Sequence, residues 1–369
     1  MRLTEILKQP TDKEFVVRGL DDFSDKELEE FWYKKKLFRK GKTEDFPILF
    51  LGLSTKDACN YACIFCYGPE FRGKEGGTPL TLDEQKKLID EGTEMGIKSV
   101  IYCGNGEPTI DQGLTKMIKH THDNGLISIV FTNGQLMGND EEAYKYHGMN
   151  AKELTSFMYE NGVSLVTHIE SLDAELYEKI TQIPGSFQKM MQALTNIQDV
   201  GFTKISQSSD GKMITRLAIS AIAMKWNFFE LPELLEYAHS VNAQYLCKFP
   251  SFLGRLQQNK DVFFIPSEDA TLWLRENYVR KLSEKPESIT VDYLHCGAWH
   301  YGIVVGNNGD IRFCYSATVN PNNRIGNVKE EPLQYLVKRR EDIFVKMLEK
   351  GETCPIKAQW YKVNQNESR

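Results

Sequence analysis

The chain has 369 residues, 41% hydrophobic and 26% charged, a globular composition long enough for one large domain or two ordinary ones. Its net charge of −6 argues against a general nucleic-acid binder, and its apolar runs are strand-sized, too short to span a bilayer. Residues 1–30 mix acids and bases without an apolar signal core, so a cytoplasmic protein without membrane or nucleic-acid partners is expected.

In chain order, residues 1–47 predict an N-terminal extension of helix plus basic loop containing "FWYKKKLFRKGK", either a hold for an anionic substrate or a solvated face. A strand from about Ile48 to Ser54 runs into "CNYACIFC", residues 59–66. Thr81 followed by Glu84 is a capping box opening a helix that ends near Gly96. The strand "IKSVIYC", a helix near Gln112–Asn124, the strand "LISIVFT", a helix over Lys152–Glu160 and the strand "VSLVTHI" follow. Helix Phe187–Val200 precedes "RLAISAIAM", and helix Leu231–Ser240 precedes "AQYLCKF". Six strands separated by five helices predict an α/β fold of parallel βαβ units, either an open doubly wound sheet or a partial barrel. Reactive residues follow the strand ends, where parallel α/β proteins place their active sites. After Phe252 comes a connector with one helix, Glu268–Lys281, then a hairpin, "GIVVGNNGDIRFC", with Asn308-Gly309 as a type I′ turn. A helix near Leu333–Lys350 and Cys354 complete the pattern.

Eight cysteines in a chain of this kind predict metal or catalytic use more than a disulfide framework. Cys59, Cys63 and Cys66 form C-x3-C-x2-C. Structural zinc takes four protein ligands, for which His120 or His122 would have to fold in. A [4Fe–4S] cluster held by three thiolates instead keeps one iron open for chemistry.

With Asn60 after the first cysteine and Phe65 before the third, "CNYACIFC" resembles the signature of radical S-adenosylmethionine (SAM) enzymes. The resemblance covers about residues 48 to 255 and implies a partial (βα)6 TIM-like barrel with a [4Fe–4S] cluster on Cys59, Cys63 and Cys66. "GNGEPT" resembles the family's Gly-Gly-Glu-Pro motif, which implies that Gly104, Gly106 and Glu107 receive the SAM amino group; Asn105 replaces the usual first Gly. "FTNG" resembles the third-strand ending and adds Asn133 to the cofactor contacts. "ESLDAELYEKITQIPGSF" resembles the segment whose Ser-Leu-Asp tip holds the SAM ribose and carboxylate, which implies Ser171 and Asp173; Gln182 stands where many relatives carry Arg. Asn227 and Gly254-Arg255 match the fifth-to-sixth unit.

The C-terminal region resembles the auxiliary-cluster extensions called SPASM or twitch, through Cys296, Gly309, Cys314 and "RIGNVKEEPLQYL". The resemblance implies a second [4Fe–4S] cluster on Cys296, Cys314 and Cys354 in a small α+β region. Lys357 stands where relatives often carry another cysteine, leaving His295, His300, a remote cysteine or the substrate as fourth ligand. In the molybdopterin-biosynthesis branch such a three-cysteine cluster holds substrate. Ordinary buried cysteines are the alternative. The expected domains are 1–47, the barrel at 48–255, a connector at 256–288 and the auxiliary-cluster region at 289–369.

The implied chemistry is reductive cleavage of SAM and hydrogen abstraction, fed by a flavodoxin- or ferredoxin-type reductant. Cys103 and Cys247 are candidates to return a hydrogen atom, unless they are buried small hydrophobes. Glu170 and Lys248 are candidates for base or anchor, against a plain salt-bridge role. With about 45 residues before the first strand, the reading favours a small or medium natural product, a sugar or nucleoside, over a ribosomal peptide. A zinc-binding interaction protein and an electron carrier without SAM chemistry are the rivals.

Overall fold

The computed structural model describes residues 15–70, 72–73, 76–248, 253–263, 301–315 and 325–350. The described residues fall into two compact units, the first built from 15–22, 60–67 and 131–263 and the second from 23–59, 68–130, 301–315 and 325–350. Cys296, Cys354, His295, His300, Lys357 and the helix expected over Glu268–Lys281 lie outside the described residues.

Strand β1 is Phe15–Val17, and helix α1 is Asp25–Arg39. The basic stretch expected in a loop lies mostly on α1. Ser24 and Glu27 form a reciprocal capping box, and Lys36 and Arg39 sit in the last turn, where cations suit the helix dipole. Next come β2 (Phe50–Ser54), α2 (Leu82–Glu94), β3 (Ser99–Cys103), α3 (Leu114–Asp123) and β4 (Ile127–Thr132). The Thr81–Glu84 capping box forms as the sequence requires.

Helices α4 (Asp140–His147) and α5 (Ala151–Glu160) precede β5 (Ser164–His168). Helices α6 (Ala174–Thr181) and α7 (Ser186–Val200) are followed by the short strands β6 (Ser206–Gln207) and β7 (Met213–Thr215). Strand β8 (Leu217–Ile222), α8 (Leu231–Ser240), β9 (Gln244–Lys248) and α9 (Arg255–Gln258) complete the first unit. Helices α4 and α6 and strands β1, β6 and β7 were not anticipated, β1 falling where only helix and loop were expected. Asn139 and Asp173 start the two helices by accepting backbone N–H groups of Glu142 and Leu176. Strands β10 (Gly302–Val305) and β11 (Ile311–Arg312) and helix α10 (Leu333–Glu349) belong to the second unit.

In the second unit the strand order is β11-β10-β2-β3-β4, parallel except for β11. Gly302–Val305 pairs in register with Phe50–Leu53, so β10 lengthens the sheet beside the strand that leads to the cysteines. The β10–β11 hairpin forms, but with a different turn. Gly309 N–H donates to Gly306 O, so Asn307 and Asn308 are the central residues, and only Gly309 takes positive φ, at 91°. Asn308 Oδ1 accepts from Asp310 N–H, an Asx turn that holds Asn308 at negative φ and excludes type I′. Helices α1 and α10 share a buried ion cluster: Glu341 lies 3.2 Å from Lys35 Nζ and 2.6 Å from Arg39 Nε. Burial pushes Lys35 down to about 8, with Glu341 opposing. Lys35 of the basic stretch thus serves packing.

In the first unit β5, β8 and β9 are consecutive parallel strands beside the end of β4, and β1-β7-β6 forms a separate three-stranded sheet. The run of strands from the end of β4 to β9 curls. Lys248 Nζ on β9 stands 4.7 Å from the Phe131 ring centroid on β4, although two strands separate them. Three interstrand steps on a flat sheet would span about 14 Å. Both side chains therefore rise from a concave face.

Asp21 seals the lower part of this unit, accepting from Val17 N–H at 2.6 Å and from Gln244 Nε2 at 2.5 Å. Burial pushes its carboxyl up to about 6, so the folded state holds the proton more tightly than the unfolded chain. That contribution is full below the ordinary value of 3.8 and is lost as pH rises through about 6. Asp21→Asn should therefore be the more stable protein at pH 7 by up to ~3 kcal/mol, with the advantage gone near pH 4. Urea midpoints across that range check this; a pH-independent difference would contradict it.

Candidate active site

The cysteine loop, residues 59–66, follows β2 without regular structure. Cys59, Cys63 and Cys66 are thiols, each half-buried. Segments of the first unit fix the loop's backbone. Ala62 N–H donates to Thr181 O at 3.1 Å and Ile64 N–H to Ile180 O at 3.0 Å. Cys66 O accepts from Arg255 N–H at 3.0 Å, and Ile64 O from Asn259 Nδ2 at 3.3 Å. Gly254 approaches at φ +60°, and a Cβ there would stand 2.7 Å from Cys66 O, so the matched Gly-Arg pair needs its glycine. Between the second and third cysteines, Ile64 packs with Ile180, Ile222, Met224 and Val262, and Phe65 rests against that cluster. The aromatic residue before Cys66 is a packing anchor.

Asn60 supplies the loop's polar anchor. Its Nδ2 donates to Gln135 Oε1 at 2.8 Å and to Glu142 Oε2 at 3.1 Å, and its Oδ1 accepts from Asn133 Nδ2 at 2.8 Å. Asn133 Oδ1 accepts from Gln135 N–H at 3.0 Å. Asn133, expected at the cofactor, thus spends its amide on orienting the loop. Sequence reading missed Gln135 and Glu142, for "GNDEE" announces a helix start but not where Glu142 points.

In the second unit "GNGEPT" folds against the residues before Cys59. Glu107 N–H donates to Ala58 O at 2.7 Å, and a Cβ on Gly106 would stand 2.0 Å from that oxygen. Gly104 packs tightly on Ser54. Glu107 is buried, and its Oε1 accepts from Thr109 N–H and Oγ1 at 3.0 and 2.7 Å. Asn105 Nδ2 donates to Asp57 Oδ1 at 3.1 Å, and Arg72 Nε donates to Asn105 O at 2.5 Å. The departure from glycine at 105 therefore ties the motif to the approach to the cysteines.

The remaining candidates divide. Ser171 Oγ donates to Glu230 Oε2 at 2.5 Å and accepts from Asp173 N–H. Burial raises the Glu230 carboxyl, with the Ser171 hydrogen bond opposing. The Asp173 side chain caps α6. Gln182 ends that helix at φ +62°, and its Nε2 donates to Lys179 O. Glu170 is buried, with Oε2 accepting from Ile222 N–H at 2.6 Å and Oε1 3.3 Å from His168 Nδ1. Cys103 neighbours Tyr102, whose hydroxyl reaches Thr121 on α3, so alternation puts the Cys103 side chain on the opposite face of the sheet. Cys247 is buried and, beside Lys248, faces away from the concave side. That removes the expectation that it returns hydrogen there. Cys314, half-buried, follows β11. His120, the possible zinc ligand, sits 2.7 Å from Asp90 Oδ1 in the last turn of α3. Among the described residues no three His, Cys, Asp or Glu side chains are gathered to hold a metal ion; thiolates of a four-iron cube bind separate irons.

The Radical SAM superfamily profile matches residues 53–211. The chain carries a radical SAM domain. GTP 3′,8-cyclase of Pasteurella multocida (strain Pm70) is 30% identical over 164 residues, 43% of this chain and 44% of that enzyme. GTP 3′,8-cyclase of Rhizobium etli (strain CIAT 652) is 23% identical over 278 residues, 74% of this chain and 70% of that one. The chain thus spans less than half the length of the first of these enzymes. Streptococcus suis SuiB bound to S-adenosylmethionine superposes with a TM-score of 0.56 at 15% identity, over 85% of this chain and 72% of SuiB. SuiB has also been solved bound to the precursor peptide SuiA. The shared fold is the α/β partial barrel, and the cofactors of this domain are a [4Fe–4S] cluster and SAM. The donor set fits the cluster, because three half-exposed thiols on one loop supply ligands for three of its four irons. No helix among the described residues is long and apolar enough to cross a membrane.

Asn133→Ala would remove the donor to Asn60 Oδ1, a half-buried acceptor, at a cost of about 0.5–1.5 kcal/mol. Reconstituted Asn133→Ala protein should hold less iron than wild type and lose its cluster absorbance at lower temperature. Identical iron content and melting would show that the amide bridge does not orient the loop.

Proposed function

We propose that this protein is a radical SAM enzyme that abstracts hydrogen from a small or medium-sized substrate, a sugar, nucleoside or similar, ending in oxidation or epimerisation. The observation that carries this reading is the three-thiol loop, clamped at both backbone and side chain, within a radical SAM domain. With cluster and SAM bound, reductive cleavage of SAM supplies a 5′-deoxyadenosyl radical able to attack unactivated C–H bonds.

The chain's own residues then have separate tasks. Cys59, Cys63 and Cys66 hold three irons. Gly104, Gly106 and Glu107 receive the SAM amino group, a task suited to a motif whose backbone is already pinned to Ala58. Ser171 and Asp173 meet the SAM ribose and carboxylate with what their local hydrogen bonds leave available, while Gln182 caps a helix. Cys103 is the thiol suited to returning a hydrogen atom. Cys296, Cys314 and Cys354 hold a second [4Fe–4S] cluster, and a flavodoxin- or ferredoxin-type protein of the cytoplasm supplies electrons.

Alignment with a GTP 3′,8-cyclase over 74% of the chain favours the small-molecule reading. Superposition on SuiB, known with a precursor peptide, supports peptide modification as the second reading.

Iron and sulfide counts after anaerobic reconstitution, with release of 5′-deoxyadenosine from SAM under dithionite, test the proposal. About eight irons in wild type, falling to about four with loss of 5′-deoxyadenosine when Cys59, Cys63 and Cys66 become Ala, is the expected result. About four falling to none would remove the second cluster. A wild type that binds no iron would overturn the whole reading.

A further inference from the structure

The concave face of the first unit carries polar groups with no task in the handling of cluster or SAM. In parallel register His168 lies beside Ser220, Ser220 beside Leu246, and Ile222 beside Lys248. Register partners project to one side of a sheet and alternate residues share it, so all five point the same way. The opposite side is the helix side. A Cβ placed on Gly134 would meet Thr167 Cγ2 at 3.2 Å and Ala193 of α7 at 3.7 Å, which puts Thr167 there and its neighbour His168 on the concave face. Lys248 confirms the assignment by standing over Phe131.

Three of these side chains offer hydrogen-bonding chemistry. His168, with 30% of its side chain exposed, has Nδ1 turned to Glu170 Oε1, which orients the ring. Glu170 divides its carboxylate between that ring and Ile222 N–H, so its charge is already engaged. Ser220 is fully buried on the intervening strand, and its Oγ has no hydrogen-bond partner among the described residues. A buried hydroxyl left that way costs about 1–3 kcal/mol, which a bound ligand oxygen would recover. Lys248, half-buried one pleat nearer the strand end, contributes a cation. Its register partner Ile222 belongs to the same apolar cluster as Ile64 of the cysteine loop, so this patch adjoins the core that anchors the segment carrying Cys63 and Cys66.

We propose that His168, Ser220 and Lys248 form a subsite for an anionic group of the substrate, a phosphate or a carboxylate. The inference rests on the reading above and supplies its substrate half. Lys248 provides the charge, Ser220 a hydroxyl donor from the floor, and His168 a wall whose orientation Glu170 sets.

Calorimetric titration of the reconstituted, SAM-loaded protein with pyrophosphate and with citrate tests it, the two probes separating phosphate from carboxylate recognition. Saturable binding of at least one anion is expected. Lys248→Met should weaken it about tenfold or more, and Ser220→Ala and His168→Gln by smaller factors, with SAM affinity and circular dichroism unchanged. Binding that survives Lys248→Met undiminished would overturn the subsite, as would no anion binding by a wild type that holds cluster and SAM. If the wild type holds neither, the radical SAM reading fails. The same titration on the cluster-free chain then decides the subsite separately, because it reads the chain's own side chains.

Discussion

Everything proposed for this protein depends on holding an irregular eight-residue loop in one shape. A helix satisfies its own backbone and a strand pairs regularly with its neighbours, whereas a loop must find separate partners or leave buried groups unpaired. Here the partners come from far along the chain: the end of α6, the start of α9 and the tip of β4. Ile64 adds an apolar anchor and Asn60 a fully engaged amide, so the segment is held at several points between Cys59 and Cys66. The thiols themselves stay half-exposed, as ligands must.

Beyond the loop, both units spend charge on packing. In the second, the cluster of Lys35, Arg39 and Glu341 joins helices some three hundred positions apart in the chain, and removing one partner would leave a buried charge uncompensated. Burial opposes the Glu341 charge, but Lys35 and Arg39 outweigh it and hold the carboxyl below its usual range. In the first, Glu170 binds a backbone N–H at the end of β8 while orienting His168. A basic run and a lone carboxylate both invite functional readings, and in each the surrounding fold supplies a structural task.

Local signals were the legible part. The Thr81–Glu84 capping box, the alternating strands and the cysteine spacing each depend on residues within a few positions of one another, and the capping box and the strands have the expected form. Helix α6 escaped notice because its start, Asp173, sits in a stretch already occupied by another motif, and α4 because it spans only Asp140–His147. The Asn308-Gly309 pair shows the limit of dipeptide rules. The same side chain that favours a left-handed turn residue can hydrogen-bond two residues on, and here it does.

From the amino-acid sequence alone came the α/β class, the strand order along the chain, the three thiols on one loop and the family they resemble, since composition, periodicity and spacing are short-range properties. Tertiary structure decided what each side chain meets. Cys247 and Lys248 are adjacent and both follow a strand pattern, yet alternation sends them to opposite faces, and only the curl of the sheet shows which is concave. Likewise only the fold shows that Asn133, read from the sequence as a ligand contact, lies within hydrogen-bonding distance of Asn60, 73 positions earlier in the chain. No local pattern encodes that distance, because it arises from the packing of segments that the chain brings together only on folding.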